Sequence, residues 1–184
     1  NPSNCGGARR PVPANPTGRV CPRPVADATR LEALPGVEAV SWANWFGGRY
    51  GDGKRFFANF AVDAESYLAM YPEIQLPADQ RAAWLQDKSS AIIGKRLLDV
   101  FGWRLGQNVT LQGTIFPGDW TFTIRGVYTP SDAVLNDDML LFHHALLDER
   151  IGRAGIAGWY VLQIDDPNHA AAIAKAIDDQ FRNS

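Results

Sequence analysis

The segment Trp159-Tyr160-Val161-Leu162-Gln163-Ile164, followed at once by "DDPNHAAAIAKAIDDQFRN", sets the hardest condition on the fold. A strand apolar along most of its length needs cover on both faces, so it belongs inside a sheet rather than at an edge. The stretch behind it predicts a helix. Asp166 is placed to cap it, Pro167 to take its first position, and Ile173, Ile177 and Phe181 recur every four residues on one face.

With 184 residues, the chain suffices for one ordinary domain, or a domain with a small insert, around a real core. Lysine and arginine number 18 against 20 acids, a net charge of -2, which leaves no basic excess to neutralise a phosphate backbone and excludes nucleic acid as the expected partner. No run of eighteen apolar residues occurs, and the start of the sequence lacks the apolar core of a signal peptide, so a soluble segment is expected. Cys5 and Cys21 are too few for a disulfide framework and their spacing fits no common zinc motif. Pairing and two free thiols stay open.

Residues 1–26 stand apart. They hold six prolines and four arginines, with only Val, Ala and Cys as apolar side chains. Such a segment buries too little surface to offset its ordering entropy and is expected to be mobile or extended. From Asp27 a short helix is predicted with Ala28, Leu31 and Leu34 on one side, stopped by Pro35-Gly36, then a strand over Val37 to Trp42.

"GRYGDGKR", residues 48 to 55, carries the G-x-x-x-x-G-K spacing of a phosphate-binding loop. Such a loop requires Ser or Thr after the lysine and then a helix whose N-terminus faces the phosphates. Here Arg55 follows, and then Phe56, Ala58, Phe60 and Val62 alternate as in a half-buried strand. Asp52-Gly53 reads instead as a turn between two strands. Further along, Asp63 is placed to cap a helix that breaks near Pro72. Two helical pieces follow, one holding Ala82, Ala83 and Trp84, the other Leu97, Leu98 and Phe101 and ending at Gly102, with a short buried strand at Ala91 to Gly94 between them. "NVTLQG" and "WTFTIRGVY" form a hairpin-like pair, with Val109 and Leu111 on one face and Phe122, Ile124 and Val127 on another; "MLLFHH" is a further strand.

Reactive constellations are scarce. There is no G-x-S-x-G elbow, and neither cysteine has the setting of a catalytic thiol. His143-His144 offers metal-ligand types, but neighbours on a strand point to opposite faces. The acid pairs Asp137-Asp138, Asp165-Asp166 and Asp178-Asp179 read as a turn, a helix entry and a solvated helix face; Asn108-Val109-Thr110 is a sequon by spacing. The aromatics Trp42, Trp45, Phe46 and Tyr50 in "SWANWFGGRY" read either as core or as a contact surface for a partner or an apolar ligand, and Gly47-Gly48 in their midst points to a bent loop.

Taken in order, "LPGVEAVS", "FFANFAVD" with "SYLAMYPE", "AIIGKRLLDVFGWRLGQNVTLQG", "WTFTIRGVY", "DDMLLFHHALLDE" and "VLQIDDPNHAAAIAKAIDDQFRN" resemble the MacB-like periplasmic core domain of bacterial ABC transporter permeases, the group of FtsX- and LolC/E-type proteins. The resemblance runs from about residue 31 onward and is most specific from Ala91 to Tyr128. Gln107 stands where the family usually has an acid, and residues 1–26 lack the aliphatic strand with which the family begins.

The resemblance implies an α+β fold: a porter-like βαβ subdomain formed by both chain ends, residues 27–77 and 139–184, with a smaller β-rich subdomain, 78–138, inserted. It implies a non-enzymatic domain without cofactors, on the periplasmic side of the inner membrane, that couples membrane movement to a periplasmic partner or a lipid, peptide or lipoprotein cargo. Its partners would be the transmembrane helices of the permease and a separate ATPase subunit or domain. Two alternatives remain: a stand-alone periplasmic binding module using Trp42 to Tyr50, and a carboxylate- or histidine-based hydrolase. The permease reading expects Asp27 and Phe181 near one end of the molecule, the binding module a closed apolar cavity around Trp42 and Trp45. The hydrolase expects two of Asp137, Asp138, His143, His144 and His169 within hydrogen-bonding reach in a cleft.

Overall fold

The computed structural model describes residues 12–13, 23–133, 135–152 and 154–181. Cys5 and Cys21, and most of the segment 1–26, lie outside them. The elements run β1 (Val12–Pro13), β2 (Arg23–Pro24), α1 (Asp27–Glu32), β3 (Val37–Trp45), β4 (Asn59–Val62), α2 (Ala64–Met70), β5 (Ile74–Gln75), α3 (Ala78–Gln86) and β6 (Ser90–Gly94). They continue with α4 (Lys95–Phe101), β7 (Asn108–Gln112), β8 (Asp119–Pro130), β9 (Leu140–His143), α5 (His144–Arg150), β10 (Ile156–Ala157), β11 (Trp159–Ile164) and, after a 3-10 turn at Pro167–His169, α6 (Ala170–Phe181). Among the described residues no helix is long and apolar enough to cross a membrane.

Two compact units result, one from residues 1–42 and 155–184, the other from 43–154. The expected boundaries were 77/78 and 138/139; they fall instead at 42/43 and 154/155. The reason is strand pairing. β4 and β9, read from sequence as part of the unit built by the chain ends, pair in parallel from Asn59↔Leu140 to Val62↔His143, and β9 pairs in turn with β6.

In the first unit β11 lies between β1 and β3, the inner position its apolar run demands, and Val12 and Pro13 pair with Leu162 and Val161. A second, small pair joins β10 to β2, and the Tyr160 hydroxyl donates to the Pro24 carbonyl. The Asp166 side chain accepts the Asn168 N–H at 2.9 Å, and α6 buries Ile173, Ile177 and Phe181 against Ala28, Leu31 and Val40. Arg30 holds its guanidinium 4.7 Å from the Phe181 ring centre, so α1 and the last turn of α6 lie side by side.

The second unit is a mixed sheet. The last three residues of β3 pair antiparallel with β4, and the order continues β4, β9, β6, β8, β5, with β7 on β8. All five residues of β6 are buried. β7 and β8 form the expected antiparallel pair, placing Val109 and Leu111 beside Trp120, Phe122 and Ile124 in one core. Val127 departs from the expected phase. Burial alternates along β8 without a break, through Trp120, Phe122, Ile124, Gly126 and Tyr128, so Val127 falls on the other face and is half-buried, although the register with β6 shifts between Ala91 and Ile92. The other correction is in "KRFFANFAVD". The strand begins only at Asn59; Phe57, Asn59 and Ala61 are buried, as is the expected Val62, while Ala58 and Phe60 are half-buried and Phe56 is 75% exposed.

Gly94, where β6 passes into α4, is a point of close approach. A Cβ there would lie 1.9 Å from the Asp137 carbonyl oxygen, within the segment whose Met139 carbonyl accepts the Gly94 N–H at 2.9 Å. We expect Gly94→Ala to lower the unfolding free energy by about 3 kcal/mol, as a backbone collision in a packed site allows no cheap relief. Urea unfolding followed by circular dichroism measures it, and a loss under about 1 kcal/mol would show that the 137–139 segment yields.

Candidate functional site

The aromatic stretch and the failed phosphate loop meet in the connection between β3 and β4, residues 46–58, within the second unit. The chain there must leave one strand and return antiparallel beside it, so its polar groups need partners that no ladder supplies. Asn59 provides them. Fully buried, its Oδ1 accepts the Gly48 N–H at 2.7 Å, and its Nδ2 donates to the carbonyls of Gly48, at 3.0 Å, and Phe57, at 3.2 Å. One turn on, the loop docks against the edge of β7: Arg49 N donates to Gln112 O at 2.9 Å and Gln112 N to Arg49 O at 2.8 Å. The Thr114 hydroxyl donates to Gly47 O at 2.9 Å. Gly47 sits at φ +68°, and a Cβ on it would lie 2.6 Å from the Trp45 indole nitrogen. Only glycine fits this bend without strain.

This framework splits the four aromatics expected to act together. Phe46 is fully buried, ringed by Trp120 at 5.0 Å and Phe142 at 5.1 Å, and has no surface to offer a partner. Tyr50 is half-buried, edge-on to Phe101 at 5.1 Å and Trp103 at 4.9 Å. Trp42 packs against the core of the first unit. Trp45 alone of the four lines an open recess of about 410 Å³. Its ring stacks on Phe56 at 5.8 Å and meets Phe60 edge-on at 5.1 Å.

Sequence reasoning missed the rest of that recess: Arg49, Arg55, Phe56 and Thr114, above a floor of Gly47, Gly48 and Gly53. Phe56 was placed on an inward strand face because an alternation read one residue out of phase looks the same on paper. Lys54 pairs with Asp52 at 3.6 Å, and Asp52 Oδ1 accepts the Lys54 N–H at 3.0 Å, which is the turn reading of Asp52-Gly53. Among the described residues neither Arg49 nor Arg55 makes an ion pair.

The candidate acids and imidazoles are dispersed. Among the described residues no hydrogen bond or ion pair joins any two of Asp137, Asp138, His143, His144 and His169, and no group of three His, Cys, Asp or Glu could hold a metal ion. His169 Nδ1 lies 3.0 Å from Asp165 Oδ1 at the entry to α6, and Asp179 pairs with Lys175 at 3.6 Å. The sequon residues sit on exposed cross-strand pairs, Asn108 accepting from the Thr123 hydroxyl and Thr110 bonded to Thr121, each at 2.8 Å.

His143 ends β9 and is buried, its Nε2 donating to the Trp84 carbonyl at 2.7 Å beneath the Trp84 ring. Burial holds its pKa below the ordinary histidine value, against the opposing effect of that carbonyl. The unfolded chain therefore binds this proton more readily than the native one. The contribution is fully present above the unfolded value of about 6.5 and is lost as pH falls through the depressed native pKa. Urea unfolding at stepped pH should show a steeper loss of stability below about pH 6.5 in the parent than in His143→Gln. Equal slopes would remove His143 from the acid response. Asn59→Ala, which strands three polar groups of the loop, should cost about 3 kcal/mol by the same measurement, and a near-neutral result would mean water replaces the amide.

No protein-family model and no curated protein sequence matches the chain. Solved structures do. The periplasmic region of MacB from Actinobacillus actinomycetemcomitans is similar over 90% of this chain and 76% of its own, at 13% identity and a TM-score of 0.58. The extracellular domain of the noncanonic ABC-type transporter YknZ from Gram-positive bacteria is similar over 96% and 94%, at 14% identity and a TM-score of 0.61. A domain of a permease protein from Porphyromonas gingivalis is similar over 85% and 68%, at 20% identity and a TM-score of 0.54. At such identities the likeness is one of fold. This chain has the α+β fold, with a mixed sheet, of the MacB periplasmic region and the YknZ extracellular domain.

Proposed function

We propose that this chain is the extracytoplasmic domain of an ABC transporter permease, on the periplasmic side of a bacterial inner membrane, and that it works mechanically rather than chemically. The observation that carries this reading is the extent of the likeness to YknZ, which spans nearly the whole of both chains. The packing of α1 against the last turn of α6 supports it, since the permease reading expects Asp27 and Phe181 near one end. Each unit is built around its own apolar core, as a part that moves as a body requires. ATP hydrolysis would belong to a separate ATPase subunit or domain, in keeping with a glycine-lysine loop that forms a turn here.

In this reading the unit formed by both chain ends is the porter-like part, and residues 43–154 form the inserted β-rich part. The surface for a periplasmic partner or cargo centres on Trp45; Phe46 and Tyr50 pack into the core of the second unit and Trp42 against that of the first.

The test uses the full-length gene product in spheroplasts. Cys5 and Cys21 are replaced by serine and the exposed Asp99 by cysteine, and a membrane-impermeant maleimide is added. We expect labelling of intact spheroplasts and retention of the protein in the membrane fraction. Labelling only after lysis, or recovery in the soluble fraction, would overturn the assignment.

A further inference from the structure

The recess at Trp45 has an unusual balance of chemistry. Several of its backbone polar groups are already engaged: Gly47 O by Thr114, Gly48 N and O by Asn59, Arg49 N and O by Gln112. The cationic side chains in its lining are Arg49 and Arg55, whose guanidinium groups only donate. With Lys54 offset by Asp52, the site carries two positive charges and no lining acid. The remaining wall is aromatic, formed by Trp45 and by Phe56, which is 75% exposed although stacked on Trp45. Ile115, next to the lining Thr114, is 62% exposed.

We propose that this recess binds a single anionic amphiphile, its carboxylate or phosphate head held by Arg49 and Arg55 and its hydrocarbon laid against Trp45 and Phe56. Three observations favour that ligand over others. A volume of about 410 Å³ matches a small-molecule site rather than a protein footprint. A peptide backbone brings N–H donors, and the carbonyls of Gly47 and Gly48 already accept from Thr114 and Asn59. A bilayer surface would meet a chain of net charge -2, so the local pair of arginines suits one head group better than a charged sheet. The proposal rests on reading the Trp45 surface as a contact site, and it does not need the permease assignment.

The experiment is isothermal titration of the 184-residue chain with laurate and with dodecyl phosphate, both below their micelle concentrations. Dodecanol and inorganic phosphate alone serve as the neutral-head and tail-less arms. We expect saturable one-to-one binding of an anionic amphiphile, laurate against dodecyl phosphate identifying the preferred head. Arg49→Gln and Arg55→Gln should each weaken it about five- to tenfold, the range for charge-assisted bonds at an exposed site. Phe56→Ser, at a position that carries no fold, should weaken it about tenfold through lost apolar contact. Dodecanol should bind at least about tenfold more weakly than laurate. Equal binding of dodecanol, full competition by inorganic phosphate, arginine variants that bind like the parent, or a non-saturating isotherm would each overturn the proposal. So would an acidic aromatic peptide that binds through the same arginines more tightly than either amphiphile. Because the titration uses the isolated chain, its failure leaves the labelling result standing, and the reverse.

Discussion

β6 has to satisfy two demands at once. Its five residues are buried on both faces, and its backbone must bond on both edges, since an unpaired amide at such depth costs on the order of a kilocalorie per mole or more. β9 on one side and β8 on the other meet the second demand, with opposite senses, which is why the sheet is mixed. On the face of Ala91 and Ile93 the first demand is met by the apolar cluster of Phe142, Leu140, Trp103 and Leu97 together with Ile124 from the neighbouring strand; from the Ser90 side α3 covers it, the Trp84 indole donating to the Ser90 carbonyl at 3.3 Å. Once β6 is fixed, β4 follows through β9, and the loop that bears the recess follows through β4.

That loop shows how one side chain can stand in for a strand. Asn59 occupies a β4 position yet spends its amide on Gly48 and Phe57, tying both ends of the connection to the place where it closes. The amide can do this because it offers donor and acceptor together, as a peptide group does. Held in this way, the loop can turn Phe56 and two arginines outward without loosening the sheet beneath. Exposed apolar and charged groups on a rigid support are what recognition needs, because little ordering entropy is left to lose on binding.

The absence of converging acids and imidazoles among the described residues gives this molecule a different kind of economy. Its histidines serve packing and helix entry: His143 under Trp84, His169 beside Asp165, whose carboxyl that contact holds below its usual range. Its glycines mark close approaches of backbone to backbone, at Gly94, and of backbone to indole, at Gly47. The fold is shared with MacB and YknZ domains at only 13–14% identity.

Much of this was legible in the chain. Period-2 and period-3.6 patterns located β11, α6, β6 and the β7–β8 pair, because apolar spacing reports directly which face is buried. The failure of the phosphate loop was also legible, since Arg55 and the aromatic run after it exclude the required hydroxyl and helix. What sequence left open was settled by pairing at a distance. Whether "KRFF" points Phe56 or Phe57 inward depends on where Asn59 meets Leu140, 81 residues away in the chain, and a slip of one residue reverses every face. The unit boundaries turned on the same pairing. The recess likewise needed Arg49, Arg55 and Thr114 brought together by a loop whose bonds to Gln112 and Asn59 no local pattern announces. Local spacing determined the elements; only long-range hydrogen bonding decided which side chains face outward together.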